Sequence, residues 1–240
     1  MSVAIVIPML DEAAALPRLL RCLAALDPAP AEIIVVDGGS RDASVAVARA
    51  GGLTVIEASR GRAAQCNAGV AATTAPLVCV LHVDTWLPDD GVAVIERTLV
   101  GRVVLGGFTA ILSGPEKVRW ATSFHNWIKT WYAPLLFRPH LFLRGGRLLF
   151  GDHAMFFQRG AFLGAGGFDE TLQVMEDADL CVRMVPHGRT KLVNRLILTS
   201  DRRVARWGEW RANWIYVKVA VLWGLKIGRR ELGRHYPDVR

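Results

Sequence analysis

Apolar residues arrive in short β-branched runs, separated by longer stretches where they recur every third or fourth position. Residues 3–7 form one such run, closed by Pro8, as in a strand buried on both faces of a parallel sheet. Residues 12–26 place Leu16, Leu19, Leu20 and Leu23 at helical spacing and stop at Asp27-Pro-Ala-Pro. The alternation continues through a strand at 32–37, a short Ala/Val helix ending at Gly51-Gly52, a strand at 53–57, a helix at 63–72 and a strand at 77–81. Strand and helix alternating in this way predict an α/β fold on a parallel sheet with right-handed crossovers.

Beyond about residue 100 the pattern changes. Residues 102–112 are strand-like and punctuated by glycine, 116–137 read as a long helix, and 150–158 read as strand again. A short helix from Ala161 ends in a glycine turn, 176–185 form another helix, 192–200 a last strand, and 207–228 a C-terminal helix. No Pro/Ser-rich linker divides the chain, which predicts one domain over residues 1–240.

Two aromatic patterns stand out. Trp120, Phe124, Trp127 and Trp131 share one helical face, and packing of that face on the core is the expectation from spacing. Its alternative is an aromatic wall for a sugar or lipid acceptor, with His125 and Asn126 on the margin. In the last helix Arg211, Lys218 and Arg229 leave one narrow polar stripe while Trp210, Trp214, Val221, Trp223 and Leu225 cover much of the rest. Trp combined with Lys/Arg is the composition of an interfacial helix. That face is expected to meet the body, a second copy in a homodimer, or an anionic membrane surface.

Composition narrows the class. Across 240 residues, 52% hydrophobic with 21% charged supports a sizeable core and excludes a disordered chain. Four scattered cysteines without a C-x-x-C pair give neither a zinc framework nor a disulfide scaffold, pointing to a reducing compartment. The first residues lack a basic region and an apolar stretch of signal-peptide length, and no run of about eighteen uncharged apolar residues follows. The expected location is therefore cytoplasmic, with peripheral contact on the inner face of the cell membrane as its variant. A net charge of +7 calls for a polyanionic partner, and from Asp201 onward ten Lys or Arg stand against four acids.

Candidate chemistry gathers where strands end. Leu81-His-Val-Asp84 closes the 77–81 run with a carboxylate, and Asp37 closes the second strand. Both belong at the carboxyl edge of the sheet, where ligands bind in open α/β folds. Asp84 either caps the next turn or offers an oxygen to a hard cation bridging a diphosphate. Gly38-Gly39-Ser40 either makes an ordinary turn or admits an anion at a helix start. Arg62 in the first turn of a helix is disfavoured by the dipole and wants an anion nearby, with Gln65 and Asn67 making a ligand-facing loop. Glu176 and Asp177 open a helix, where they either cap it or include a general base.

Pro8-Met-Leu-Asp-Glu12, Val35-Val-Asp-Gly-Gly-Ser-Arg-Asp42, Gly61-Arg-Ala, His82-Val-Asp84, Gly166-Gly-Phe-Asp169 and Glu176-Asp177, in that order, resemble a family-2 glycosyltransferase with the GT-A fold. Ser200-Asp-Arg-Arg, Trp207, Asn213-Trp214 and residues 232–236 are similar to a small bacterial subgroup, the selenodomain-associated transferases. The resemblance implies a three-layer sandwich on a mostly parallel, Rossmann-like sheet with a C-terminal helical segment. Residues 1–100 would hold the nucleotide sugar, 101–200 the acceptor, and 201–240 the basic, Trp-rich helical part.

It also implies roles. Pro8 and Glu12 match the opening nucleotide loop, with Asp11 where Asn is usual; Asp37 and Gly38 match the base-recognition turn, and Arg62 a base- or phosphate-binding arginine. His82-Val83-Asp84 stands for the D-x-D motif, with Asp84 as ligand to Mn²⁺ or Mg²⁺, and Arg202 and Arg203 join the diphosphate. Asp177, beside Glu176, matches the catalytic base of an inverting transfer from a nucleoside diphosphate sugar, UDP-linked, to a hydroxyl acceptor that is lipid-linked in many relatives. Asp152, His153 and Trp127 are candidate acceptor contacts. A Rossmann methyltransferase using S-adenosylmethionine is the rival enzyme, but G-x-G-x-x-G is absent after the first strand. A basic nucleic-acid-binding protein explains the charge but not three carboxylate clusters, so nucleic acid is disfavoured.

Overall fold

A computed structural model describes residues 2–228 and 232–234. The chain begins with β1 (Val3–Met9), α1 (Leu16–Ala24), β2 (Glu32–Asp37), α2 (Ser44–Ala50), β3 (Thr54–Glu57), α3 (Arg62–Ala72) and β4 (Leu77–Val80).

 

Next come β5 (Thr85–Trp86), α4 (Gly91–Thr98), β6 (Val103–Ser113), α5 (Trp120–Phe137), α6 (Pro139–Leu143), a 3₁₀ turn (Gly151–His153), β7 (Phe156–Gln158) and α7 (Arg159–Gly164). The chain ends in α8 (Glu176–Met184), β8 (Arg189–Ser200), α9 (Arg202–Trp207) and α10 (Glu209–Gly224).

The strands form one eight-stranded sheet in the order β3-β2-β1-β4-β7-β6-β8-β5. The ladders from β3 to β4 are parallel, as is β6 with β8, while β7 and β5 pair antiparallel with their neighbours. Alternation along β1 sends Val3, Ile5, Ile7 and Met9 to one face and Val6 to the other. The first face packs against α1, α2 and α4 through Leu16, Leu19, Ala48 and Ile95. The second meets α3, α7, α8 and α10 through Cys66, Phe162, Leu180 and Trp223. Helices on both faces make three layers, and each buried Leu, Ile or Phe contributes about 1.5–3 kcal/mol. Helix α3 lies so close to β1 that a Cβ on Gly69 would stand 2.3 Å from Val6 Cγ1.

Four expectations need correction. The 150–158 strand is shorter: a 3₁₀ turn occupies its first part, and only Phe156–Gln158 joins the sheet. The stretch after Asp84, whose Thr85-Trp-Leu-Pro-Asp-Asp sequence reads as a loop opening a helix, first forms the short strand β5 before α4 begins at Gly91. The C-terminal helix expected over 207–228 is shorter, Glu209–Gly224, and an unexpected helix, α9, precedes it across Gly208, whose φ of 82° separates the two. The aromatic face of α5 is outside the core, with Trp120 68% and Phe124 61% exposed. The buried face of α5 carries Thr122, Ser123, Asn126, Lys129, Thr130 and Ala133 instead. Arg229 of the polar stripe and residues 235–236 of the C-terminal similarity lie outside the described residues.

Candidate active site

Parallel pairing brings Met9 of β1 level with Asp37 of β2, and β4 runs parallel to β1 on its other side. The segments leaving β1, β2 and β4 therefore share one edge of the sheet, and Asp37 and Asp84 lie on the same rim. Two cavities open there. One, of about 170 Å³, is lined by Pro8, Glu12, His82, Val83, Asp84 and Arg202 among others. The other, of about 780 Å³, is lined by Arg60, Asn126, Lys129, Glu176 and Asp177 among others. Arg62, Asp152, Arg203 and Tyr216 line both, so the cavities meet at these side chains.

The smaller cavity is cross-tied by charge. Arg202 donates from Nη1 to Glu12 Oε2 at 3.1 Å and from Nη2 to Glu12 Oε1 at 2.9 Å and Asp84 Oδ2 at 2.7 Å. Burial alone would lower the Arg202 pKa, but Glu12 and Asp84 raise it overall. Arg202 is set there by its neighbour: Asp201, 4% exposed, accepts from Arg119 Nε at 2.6 Å and so pins the start of α9 to the segment before α5. His82 is pushed down to about 3 by loss of hydration and by Arg62, Arg203 and Arg202, against the pull of Asp152. Its imidazole is thus neutral at physiological pH.

Arg62 finds the anion that its place in α3 demands. It ion-pairs with Glu176 and reaches Asp177 Oδ2 at 3.4 Å. Burial would lower its pKa, yet the two carboxylates hold it above the ordinary value. Burial pushes the Glu176 pKa up against the pull of Arg62, and Glu176 Oε2 has no hydrogen-bond partner. Asp177 accepts from Gly151 N at 2.7 Å and Ala178 N at 2.7 Å. A side chain on residue 151 would collide with Arg62 Nη1 at 2.6 Å and His82 Cε1 at 2.9 Å, which explains glycine there. Met175, just before Glu176, holds a left-handed φ of 66°, a conformation that costs a non-glycine residue about 1–3 kcal/mol and clusters at functional sites.

Several predicted residues serve the scaffold. Asp37 lines neither cavity: its carboxylate accepts from Gly39 N at 3.0 Å and from the Ser40 backbone and hydroxyl, closing its own turn. Gly38 also stays outside, packed against the Gln65 amide. Gln65 itself faces no ligand; its Nε2 donates to Met9 O at 2.8 Å and Val36 O at 2.7 Å, tying β1 to β2. Asn67 likewise holds the glycine turn, donating to Phe168 O at 2.9 Å and accepting from Phe168 N at 2.9 Å. His153 is buried outside both cavities, its pKa lowered to about 4 by burial and by Lys129, against the pull of Asp152. Trp127 lies on the exposed face of α5 and lines neither cavity. Among the described residues no cluster of three or more His, Cys, Asp or Glu forms a ready-made metal cage.

Lys129 is the residue that sequence reasoning missed. It is 8% exposed, lines the larger cavity and sits 3.6 Å over the Phe150 ring. A lysine between aromatic positions of an apparently apolar helix gives one weak signal: it interrupts the face opposite Trp127 and Trp131.

The sequence model of glycosyl transferase family 2 matches residues 4–164. No curated protein matches the chain. Among solved structures, the mannosyltransferase PcManGT from Pyrobaculum calidifontis in complex with GDP-Man and Mn²⁺ is similar with a TM-score of 0.68 at 17% identity, covering 99% of this chain and 65% of that one. Glucosyl-3-phosphoglycerate synthase from Mycobacterium tuberculosis, in complex with Mn²⁺, UDP and glucosyl-3-phosphoglycerate, gives 0.60 at 18% identity, covering 94% of this chain and 80% of that one. S. aureus TarS 1–349 in complex with UDP-GlcNAc gives 0.61 at 16% identity, covering 84% of this chain. This chain spans 59% of the length of that TarS structure.

Proposed function

The chain belongs to glycosyl transferase family 2 and has the GT-A fold, and from that premise we propose that it moves a sugar from a nucleoside diphosphate sugar, UDP-linked, to a hydroxyl acceptor with inversion. The observation that carries this reading is the pair of cavities joined at Arg62, Asp152 and Arg203. The smaller collects Pro8, Glu12, His82, Val83, Asp84 and Arg202 as the donor side; the larger is the acceptor side. The nucleotide sugars in the similar structures support the same donor class.

Leaving-group departure builds negative charge on the diphosphate, and fixed cations aimed at that charge lower the barrier. Arg62, Arg202 and Arg203 supply them from this chain. Asp84 fits a hard divalent cation, Mn²⁺ or Mg²⁺, of the kind that takes one protein carboxylate and completes its shell with phosphate oxygens and water. Neutral His82 beside it adds no charge to oppose such an ion. When bound, the cation would neutralise charge on the departing diphosphate. Arg202 holds that same carboxylate, so donor binding is expected to re-partition Arg202 from Asp84 toward phosphate.

Asp177 is the proposed base, taking the proton from the attacking hydroxyl, with Glu176 holding Arg62 in place. A second reading is favoured by one observation: Asp152 lines both cavities and, among the described residues, has no hydrogen bond or ion pair. Donor hydrolysis and transfer measured for Asp177→Asn and Asp152→Asn decide between them. Loss of ~10²–10⁴ in kcat belongs to the base; full activity in both variants would sink either assignment. Binding of UDP to the wild type in calorimetry, with no heat from S-adenosylmethionine, is the expected result for the class.

No helix among the described residues is long and apolar enough to cross a membrane. Exposed Trp120 and Phe124 on α5, with Trp210 and Trp214 on α10 at 92% and 68% exposure, support contact with an anionic membrane surface. Flotation with anionic liposomes tests it: protein that stays at the bottom in low salt and runs as a dimer supports a homodimer instead.

A further inference from the structure

A lysine ammonium removed from water ordinarily sits beside a carboxylate, because burial without a counter-charge is costly. Lys129 does not. It is 8% exposed, its ammonium lies over the rings of Phe150 at 3.6 Å and Tyr216 at 5.8 Å, and no carboxylate of the described residues reaches ion-pairing distance. One turn before it, Asn126 is 6% exposed and its Nδ2 has no hydrogen-bond partner. Both line the 780 Å³ cavity and neither lines the 170 Å³ one, so they do not serve the donor diphosphate.

We infer that the larger cavity takes a hydroxyl acceptor bearing an anionic group, a phosphate or a carboxylate, which Lys129 and the Asn126 amide receive. This rests on the glycosyltransferase reading and adds the acceptor's chemical class. The aromatic faces that hold Lys129 stabilise an ammonium without consuming its donors, leaving N–H groups for a ligand. Asn126 adds a neutral donor beside it, which suits an anion with several oxygens.

The site also has a charge state that can be read. Burial lowers the Lys129 pKa to about 8, against the pull of Asp152 from the 3₁₀ turn and Asp177 from α8. His153 and His125 also face it, and burial, with Lys129 adding to it, lowers the pKa of both, that of His153 to about 4. The ammonium is therefore present below about 8 and lost above it.

The test is calorimetric titration of the full chain, already saturated with UDP so that the donor side is filled. Glycerol 1-phosphate, glycerate, dodecyl phosphate and glycerol are the probes. Binding of the anionic probes but not of glycerol is expected, weakened about 10-fold or more by Lys129→Met and largely kept by Lys129→Arg. Wild-type affinity should fall as pH rises from 7 through about 8, whereas Lys129→Arg should stay flat. Tighter binding of dodecyl phosphate than of glycerol 1-phosphate identifies a lipid phosphate; preference for glycerate identifies a carboxylate. If UDP binds but no anion does, or if Lys129→Met and Asn126→Leu bind anions as the wild type does, the inference is overturned. If UDP itself fails to bind the wild type, the glycosyltransferase reading falls first.

Discussion

The donor and acceptor cavities adjoin, yet they handle charge in opposite ways. On the donor side Arg202 holds Glu12 and Asp84, and where the cavities meet Arg62 holds Glu176 and Asp177. On the acceptor side Lys129 and Asp152 are buried or half-buried without an ion pair among the described residues. A paired network keeps its shape before a ligand arrives, so the donor diphosphate enters by taking over existing contacts. An unpaired group has no internal substitute, so the acceptor side waits for its partner. The difference teaches where specificity for the unknown substrate resides.

The largest effect that sharpens this contrast is on turnover at the seam between the cavities. Asp177→Asn should lower kcat by ~10²–10⁴ while UDP affinity stays near wild type, measured by initial rates and calorimetry. Next is the support of the donor side. Asp201→Ala strips Arg119 of its buried partner, which should cost about 3–5 kcal/mol in urea denaturation. Wild-type stability in that variant would break the view that a fixed ion pair positions Arg202.

Arg202→Ala should weaken UDP binding ~10–100-fold, the range of charge-assisted hydrogen bonds. If the variant binds UDP unchanged, the donor cavity is not the diphosphate site. Gly69→Ala should destabilise the chain by about 1–3 kcal/mol through overpacking against Val6, with both cavities still able to bind. The smallest effect is a flat line: because His82 is pushed down to about 3, UDP affinity should not change with His82 protonation between about pH 5 and 8. An inflection near 6.5 that disappears in His82→Gln would show a solvated, charged imidazole in its place.

The elements carrying the donor side were legible because their signals are local. β-Branched runs made β1, β2 and β4, and helical spacing made α1 and α3, though α1 starts at Leu16, later than the spacing predicts. Asp84 was nameable by type and position, and Glu12 and Arg202 through the family resemblance. Their mutual ion pairs were not, since residues 12, 84 and 202 are brought together only by the sheet. Asp37 shows the limit in reverse: its position at a strand end is as expected, but its oxygens are occupied by the turn that follows.

Helix α5 marks the sharpest boundary between the two kinds of information. Spacing determined that Trp120, Phe124, Trp127 and Trp131 share a face, because 3.6 residues per turn is a property of the backbone. Which face turns inward is settled by what the rest of the chain offers, and here β6 and α10 offer hydrogen bonds. Leu112 N donates to Ser123 Oγ at 2.9 Å, and Asn213 Nδ2 donates to Thr122 Oγ1 at 3.1 Å. The sequence by itself determined the alternation of β1 to β4 with α1 to α3 and the shared rim of Asp37 and Asp84. Only the tertiary structure decided which charges neutralise one another and that Lys129 faces a cavity, because pairing depends on distances between segments remote along the chain.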